Sequence, residues 1–222
     1  MLQPASIKFL KELKKHNHKE WFEANRKQYD AAKNDFAELV QSVIEKFGKK
    51  DESIATLKAK DCMFRINRDV RFSKDKSPYK PNMGASIVKG GKKSPLAGYY
   101  FHFEPGNSFV GGGSWMPEPE GLKKIRQEVD YCFEEFKKII AGKKFVSTYT
   151  DLNRDKEYVL SRPPKGYEID NPAIEFIKFK CFVAMTPIAD AELTDKNLVK
   201  KITDAFEALH PLIGFLNRAI ES

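Results

Sequence analysis

The chain has 222 residues, of which 41% are hydrophobic, and a formal net charge of +8 at pH 7. This length suits one domain with a substantial core, and no apolar run approaches the roughly 18 residues that a membrane-spanning helix needs. The three cysteines are far apart and the N-terminus lacks a signal-peptide pattern, which predicts a cytoplasmic protein with reduced thiols and neither a disulfide framework nor a zinc site.

The first 48 residues predict two helices. Pro4 suits the first turn of one helix. Asn17 and Glu20 resemble a capping box that starts the second helix. Its apolar spacing continues to Gly48, where we expect the helix to end, and its length allows a kink near Asn34.

The middle of the chain predicts the strands of a sheet. Residues 62–66, 84–88 and 97–104 have strand-like patterns, and the last of these alternates most clearly between aromatic and polar side chains. Residues 105–107 form a turn that leads into a further strand at 108–112. These connections are too short for crossover helices, so the sheet should be mostly antiparallel.

The C-terminal half predicts mainly helices. One helix should end at Gly142, followed by a polar loop at 143–168 and a last strand at 179–185. Thr194 suits the cap of the next helix, and Pro211 suits the first turn of a separate terminal helix.

Together these elements predict a single α+β domain over residues 1–222, with a central, mostly antiparallel sheet packed by N-terminal, middle and C-terminal helices. Its expected parts are a helical segment at about 4–47, a sheet core at about 61–115 and a second helical segment at about 118–221. No internal repeat or interdomain linker interrupts them.

The stretch from Arg65 to Lys80, which we call the basic loop, begins at the end of the first predicted strand and carries the densest charge of the chain. It has two carboxylates, Asp69 and Asp75, and six cations, which give it half of the net charge. The cations are candidate ligand-binding residues: Arg65, Arg68, Arg71, Lys74, Lys76 and Lys80. Arginine forks and lysine point charges suit phosphate or carboxylate groups. The alternative is that the two aspartates satisfy the arginines while the lysines face water.

Three consecutive glycines and a tryptophan form a second candidate. Gly112 and Gly113 allow the close approach of a ligand or of another backbone, and Trp115 could stack on a base or sugar ring or belong to the core. The helix that follows offers free N–H groups to an anion, although Glu118 and Glu120 could already satisfy that end.

The polar face of the strand at 97–104 is the third candidate. Tyr100, His102 and Glu104 alternate with aromatic residues that should face the core. If Arg65 shares their face, His102 and Glu104 can transfer protons beside a bound anion. The alternative is an ordinary solvent-exposed face of an antiparallel sheet.

Four stretches carry a resemblance to a known family: R-D-V-R-F-S-K-D-K-S-P-Y-K, W-F-E-A-N-R-K-Q-Y, Y-Y-F-H-F-E-P-G with the following G-G-G-S-W, and S-R-P-P-K-G-Y. In these the chain resembles a bacterial domain-of-unknown-function family of conserved hypothetical proteins. The resemblance spans nearly the whole chain but implies no activity, substrate or cofactor. It directs attention to Asn25 and Arg26, and the proline-bounded Arg162 and Lys165 could close over the same anion.

The leading hypothesis is therefore a pocket for a phosphorylated or other anionic small ligand, with no cofactor and no metal. Its floor would contain Arg65, Tyr100 and His102, and its walls would be the loop at 68–80 and the turn at 111–115. Whether the site catalyses a reaction is left open. The alternatives are a nucleic-acid-binding protein that uses the same cations and a structural or interaction domain with internally paired charges. No membrane partner is expected.

Overall fold

The computed structural model describes residues 1–222 and contains ten α-helices and a four-stranded antiparallel sheet. The strands, adjacent in the order β1-β2-β3-β4, are β1 (Met83–Ile87), β2 (Gly98–Phe103), β3 (Ser108–Ser114) and β4 (Phe182–Ile188). The helices are α1 (Pro4–Lys15), α2 (Lys19–Ala24), α3 (Arg26–Phe47), α4 (Ala59–Cys62), α5 (Pro119–Tyr131), α6 (Phe133–Ile140), α7 (Lys143–Tyr149), α8 (Ile174–Ile177), α9 (Asp190–Leu193) and α10 (Leu198–Glu221). The predicted α+β class is confirmed. None of the helices combines the length and the hydropathy that crossing a bilayer requires.

The chain divides into two compact units. The first contains residues 1–92, 100–110 and 187–204, and the second contains residues 93–99, 111–186 and 205–222. Strands β2, β3 and β4 and helix α10 contribute residues to both units. The organisation of the chain as one domain stays a prediction.

In the first unit, helix α3 covers the apolar face of β2. The Phe36 ring stacks on Phe101 and Phe103 at centroid distances of 5.8 and 6.1 Å, and all three side chains are buried. Burial alternates along β2 as the sequence predicts, because successive side chains of a strand point to opposite faces. The opposite face, which carries Tyr100 and His102, is thereby left for the polar residues.

In the second unit, the core is an aromatic cluster around α6. Phe136 is fully buried and lies within 6.3 Å of the ring centroids of Phe176, Phe182 and Phe215. Arg218 of α10 forms ion pairs with carboxylates of α5 and α6. Aromatic packing, supported by these ion pairs, therefore holds the helices of this unit together.

The second predicted helix is divided into α2 and α3. The residue between them, Asn25, has non-helical φ and ψ values of −108° and 18°, and its amide donates a hydrogen bond to the Trp21 carbonyl. Such a side-chain bond competes with helix formation. The predicted capping box is also wrong, because the His18 ring caps α2. No interruption occurs at Asn34.

Four other element boundaries differ from the sequence prediction. The last strand, expected at 179–185, is β4 at Phe182–Ile188. The helix expected to reach Gly142 breaks at Cys132, where φ is −110° and ψ is 36°. Part of the predicted loop at 143–168 forms α7. Thr194 ends α9 and does not cap α10.

The predicted separate helix at Pro211 is wrong, because α10 runs through this residue without interruption. Proline removes one backbone hydrogen bond from a helix interior. The apolar side chains on both sides of it, including Leu209, Leu212 and Ile213, are buried. Burial of this continuous apolar face outweighs the missing hydrogen bond.

The predicted strand at 62–66 is also wrong. Cys62 ends the short helix α4, and the segment after it makes only two isolated bridges, from Met63 to Ala85 and from Asn67 to Tyr79. The residues opposite this segment include Pro81, which lacks the N–H that a continuous ladder needs. We call residues 63–67 the extended segment.

Candidate functional site

A cavity of about 280 Å³ lies in the first unit beside the extended segment, β1 and β2. Its lining residues come from the extended segment, the C-terminal end of the basic loop and the two strands: Phe64, Arg65, Lys80, Asn82, Gly84 and Tyr100. Three of the predicted site residues, Arg65, Lys80 and Tyr100, are therefore brought together at one concave surface.

Arg65 and Lys80 are the two cations of the cavity, and neither forms an ion pair in the structure. The Lys80 ammonium donates a hydrogen bond of 3.0 Å to the Arg65 carbonyl and lies 5.8 Å from the centroid of the Phe64 ring. Burial and the nearby charge of Arg65 lower the pKa of Lys80. The charge of Arg65 contributes to the lowered pKa of Asp69, but neither cation has a carboxylate within ion-pair distance. Two such cations make this cavity attractive to an anion.

The two other arginines of the basic loop are neutralised internally. Arg68 pairs with Asp75, and the Arg71 guanidinium holds both Asp69 oxygens, with its Nη2 at 2.7 Å from Oδ2. Hydrogen bonds from Ser77 and Arg68 hold the pKa of Asp75 far below its usual value, and those from Arg71 lower the pKa of Asp69. For Arg68 and Arg71 the structure thus has the internal pairing that the sequence left as an alternative.

The lysines of the same loop lie outside the cavity lining. Lys74 is exposed, and the Lys76 ammonium donates a hydrogen bond of 3.0 Å to the Val70 carbonyl. Of the six candidate cations, only Arg65 and Lys80 line the cavity. A direct role of the other four in ligand binding stays a prediction.

The end of the basic loop is fixed by the α1–α2 region. The Tyr79 ring is buried and stacks on Phe22 with a centroid distance of 4.0 Å. The Asn17 amide donates to the Tyr79 carbonyl at 2.8 Å and accepts from the Tyr79 N–H at 3.0 Å. These contacts hold the backbone immediately before Lys80. Two of the family-like stretches of the sequence meet here.

Asn25 and Arg26 have structural roles in this region. Asn25 bonds to the backbone between α2 and α3, and the Arg26 guanidinium lies over the Phe22 and Tyr29 rings at 5.6 and 5.5 Å. Neither residue lines the cavity. Arg162 and Lys165 belong to the second unit and are exposed.

The polar face of β2 forms a connected row of side chains. The Tyr100 hydroxyl lies 3.1 Å from His102 Nδ1, and His102 Nε2 lies 3.3 Å from Glu104 Oε2. Lys14 of α1 contacts the other oxygen of Glu104 at 3.5 Å. Tyr100 lines the cavity, whereas His102 lies behind it and stacks on Phe109 with a centroid distance of 4.7 Å.

Burial controls the proton affinities of this row. It raises the pKa of Tyr100 to about 12, and it lowers the pKa of His102 despite the opposing hydrogen bond to Glu104. Burial alone would raise the pKa of Glu104, but hydrogen bonds from His102 and Asn107 lower it overall. At neutral pH the row thus contains a neutral phenol, a mostly neutral imidazole and a carboxylate.

Gly84 is a site residue that the sequence analysis missed. A Cβ atom at this position would lie 2.3 Å from the Tyr100 hydroxyl, so only glycine leaves room for that hydroxyl over β1. Its signal in the sequence is a glycine inside a predicted strand, which often marks close approach of another group. Phe64 and Asn82 were missed because neither residue type indicates a site by itself.

The triple glycine lies inside β3 and not in a turn. A Cβ at Gly112 would lie 2.4 Å from the Gly98 carbonyl, and one at Gly113, whose φ is +122°, would lie 1.9 Å from the Phe182 carbonyl. Neighbouring backbone therefore explains both glycines. Trp115 is 56% exposed and packs edge-on against Tyr158. None of the three lines the cavity, and their role in binding stays a prediction.

The structure contains no group of three or more His, Cys, Asp or Glu side chains that could hold a metal ion. Comparison with curated proteins and with solved structures finds no match. A family model described as conserved hypothetical protein matches residues 5–215, which is almost the whole chain. The chain therefore belongs to the conserved hypothetical protein family DUF2461.

Proposed function

We propose that the protein binds a small phosphorylated or otherwise anionic molecule in the cavity between the extended segment, β1 and β2. The observation that carries this proposal is the pair of cations, Arg65 and Lys80, in one concave site with no carboxylate within ion-pair distance of either. Like charges held close together repel each other, and an anion placed between them removes that repulsion.

The other lining groups suit the same ligand. The arginine fork can bind two oxygens of a phosphate or carboxylate, and the lysine adds a point charge. Asn82 and Tyr100 offer an amide and a hydroxyl for further hydrogen bonds. A volume of about 280 Å³ is slightly below the usual range of ligand cavities, about 300–1,000 Å³. This supports a small molecule with one anionic group.

Isothermal titration calorimetry with inorganic phosphate tests the proposal, followed by sugar phosphates, nucleotides and carboxylates. Arg65→Ala and Lys80→Ala should each weaken binding about 10- to 100-fold, because each removes a charge-assisted hydrogen bond. Arg71→Ala is the matched control: its side chain is 75% exposed and paired with Asp69, so affinity and stability should be nearly unchanged. Equal affinities in all four proteins would contradict the proposal.

A second candidate function rests on the tip of the basic loop. Phe72 is 96% exposed, and the Arg71 guanidinium lies 5.9 Å from its ring centroid. An open aromatic ring beside cations suits stacking on single-stranded nucleic acid. Phe72→Ala should then abolish oligonucleotide binding in fluorescence anisotropy, and affinity should fall steeply with salt. The cavity proposal predicts that Phe72→Ala leaves phosphate binding intact.

A further inference from the structure

The row Tyr100–His102–Glu104 runs from the cavity wall along β2 to the turn that follows this strand. Its two inner members are largely enclosed, with side-chain exposures of 12% for His102 and 14% for Glu104. The sequence analysis left open an ordinary solvent-exposed face of the sheet at these residues, and the low exposure of both side chains differs from such a face. The outer member, Tyr100, lines the same cavity as Arg65 and Lys80.

Donor and acceptor chemistry fixes the direction of the hydrogen bonds in this row. The Glu104 carboxylate can only accept, so His102 Nε2 donates to it across 3.3 Å. Neutral His102 then has its lone pair on Nδ1, which accepts from the Tyr100 hydroxyl across 3.1 Å. The tyrosine proton therefore points away from the cavity, and the hydroxyl oxygen has free acceptor capacity toward a bound molecule.

We propose that Tyr100 removes a proton from a hydroxyl group of the bound anionic ligand or from a water beside it, while His102 takes up the proton of Tyr100 and Glu104 acts as the positioning residue of His102. This inference rests on the proposed anion site. Tyr100 is the only member of the row that lines the cavity, so it is the member that touches the ligand.

The proposed step balances without any further reactant. The ligand or water O–H bond breaks and its proton joins the Tyr100 oxygen, while the original Tyr100 proton passes to His102 Nδ1. The products are an oxyanion in the cavity, a neutral tyrosine, and an imidazolium paired with Glu104. Arg65 and Lys80 lie where they can stabilise the oxyanion. No charge remains on the phenol. The positive charge forms on His102, where burial disfavours it, and the hydrogen bond to the Glu104 carboxylate offsets part of that cost.

The contacts around the row hold it in the required geometry. The Phe109 ring is nearly parallel to the His102 ring, with an interplanar angle of 13°, and this fixes the imidazole plane. Asn107 donates to Glu104 Oε2 at 3.3 Å, and Lys14 contacts Oε1. Gly84 leaves the space that the Tyr100 hydroxyl occupies. Groups fixed in this way are pre-organised for proton transfer.

The pKa of His102, measured in the intact protein by ¹H–¹⁵N NMR, tests the coupling without an activity assay. The groups that face His102 are Tyr100 and Glu104, with Lys14 beyond the carboxylate and the two cavity cations beyond the hydroxyl. Tyr100→Phe removes the donor that stabilises neutral His102, so the pKa should rise by about 0.5 or more. Glu104→Gln removes the carboxylate that stabilises the imidazolium, so in this variant the pKa of His102 should fall.

Inorganic phosphate then tests the contact between Tyr100 and the ligand. A bound phosphate adds negative charge near His102, which favours the imidazolium in both proteins. In the wild type a phosphate hydroxyl also donates to the Tyr100 oxygen and so changes the Tyr100–His102 hydrogen bond, which Tyr100→Phe lacks. Phosphate should therefore shift the pKa of His102 by a different amount in the wild type than in Tyr100→Phe. The signals of His16, His18 and His210 report whether each variant remains folded.

The outcomes separate the two proposals. A His102 pKa that is the same in the wild type, Tyr100→Phe and Glu104→Gln overturns the relay, whatever phosphate does. Calorimetric binding of phosphate without a change in the His102 pKa shows that Tyr100 does not touch the ligand, and also overturns the inference. Absence of phosphate binding overturns the anion site and with it the ligand step, while the pKa comparison in the free variants still decides whether the row is coupled.

Discussion

At the scale of single residues, cations from the same stretch of chain have different environments. Arg71 lies at the surface and is paired with the neighbouring Asp69, an arrangement that contributes little to stability. Lys80 is partly buried next to Arg65, and its pKa is lowered. A site is thus distinguished from a solvated charge run by the presence or absence of a carboxylate partner, which the sequence alone does not specify.

Gly84 gives the sharpest prediction for a single residue. In Gly84→Ala the new Cβ would lie 2.3 Å from the Tyr100 hydroxyl, so that hydroxyl must move away from its position. We expect phosphate affinity to fall by about tenfold or more, measured by calorimetry, and the NMR-measured pKa of His102 to rise as in Tyr100→Phe.

Gly214→Ala is the matched control for this change. Apart from its chain neighbours and the nearby backbone of its own helix, no atom lies within 4 Å of a Cβ at that position, and the residue is inside α10. This variant should bind phosphate as the wild type does and be equally stable or more stable by up to about 1 kcal/mol. Unchanged binding in Gly84→Ala would show that the Tyr100 hydroxyl is not part of the site.

At the scale of elements, the site depends on how the basic loop is attached to the N-terminal helices. The Phe22–Tyr79 stack and the Asn17 hydrogen bonds tie the end of the loop to the α1–α2 region. Lys80 follows directly and enters the cavity. An element with no lining residue of its own thereby positions one of the two cations.

Asn17→Ala tests this attachment. The change leaves the Tyr79 backbone without two hydrogen bonds, so we expect a loss of about 1–3 kcal/mol in the free energy of unfolding, measured in urea, together with weaker phosphate binding. Asn67→Ala is the control, since Asn67 is exposed and belongs to the same backbone ladder. If both variants behave alike, the Asn17 side chain does not hold the loop.

Strand β2 is the element that the sequence predicts best. Its period of two is strong, and α3 buries the aromatic face, so local pattern and tertiary packing agree. The segment at 62–66 has a similar apolar alternation, yet Phe64 is 44% exposed at the cavity. The segment opposite it contains Pro81, which cannot donate a hydrogen bond to a continuous ladder, and a local pattern does not include that residue.

The candidate site was predicted only in part, because a local pattern does not include contacts with distant residues. Arg65, Lys80 and Tyr100 were found from charge and alternation, and His102 and Glu104 follow from the register of β2. Whether the aspartates pair with Arg68 and Arg71 could be decided only from distances in the structure. The sequence places aspartates near both arginines but does not say whether they form ion pairs. Helix breaks such as Asn25 depend on a single side-chain hydrogen bond and have no periodic signal.

At the scale of the whole molecule, all residues that line the cavity belong to the first compact unit. The net charge of +8 attracts anions in general, so weak binding at low salt is not diagnostic of a site. Localised binding must persist at physiological ionic strength and depend on Arg65 and Lys80.

The most direct measurement is a crystal structure of the protein grown with phosphate or with tungstate, whose anomalous scattering marks the anion. We expect one anion within hydrogen-bond distance of the Arg65 guanidinium, the Lys80 ammonium and the Tyr100 hydroxyl. An empty cavity, with anions only beside exposed cations such as Arg71 and Lys74, would contradict the account.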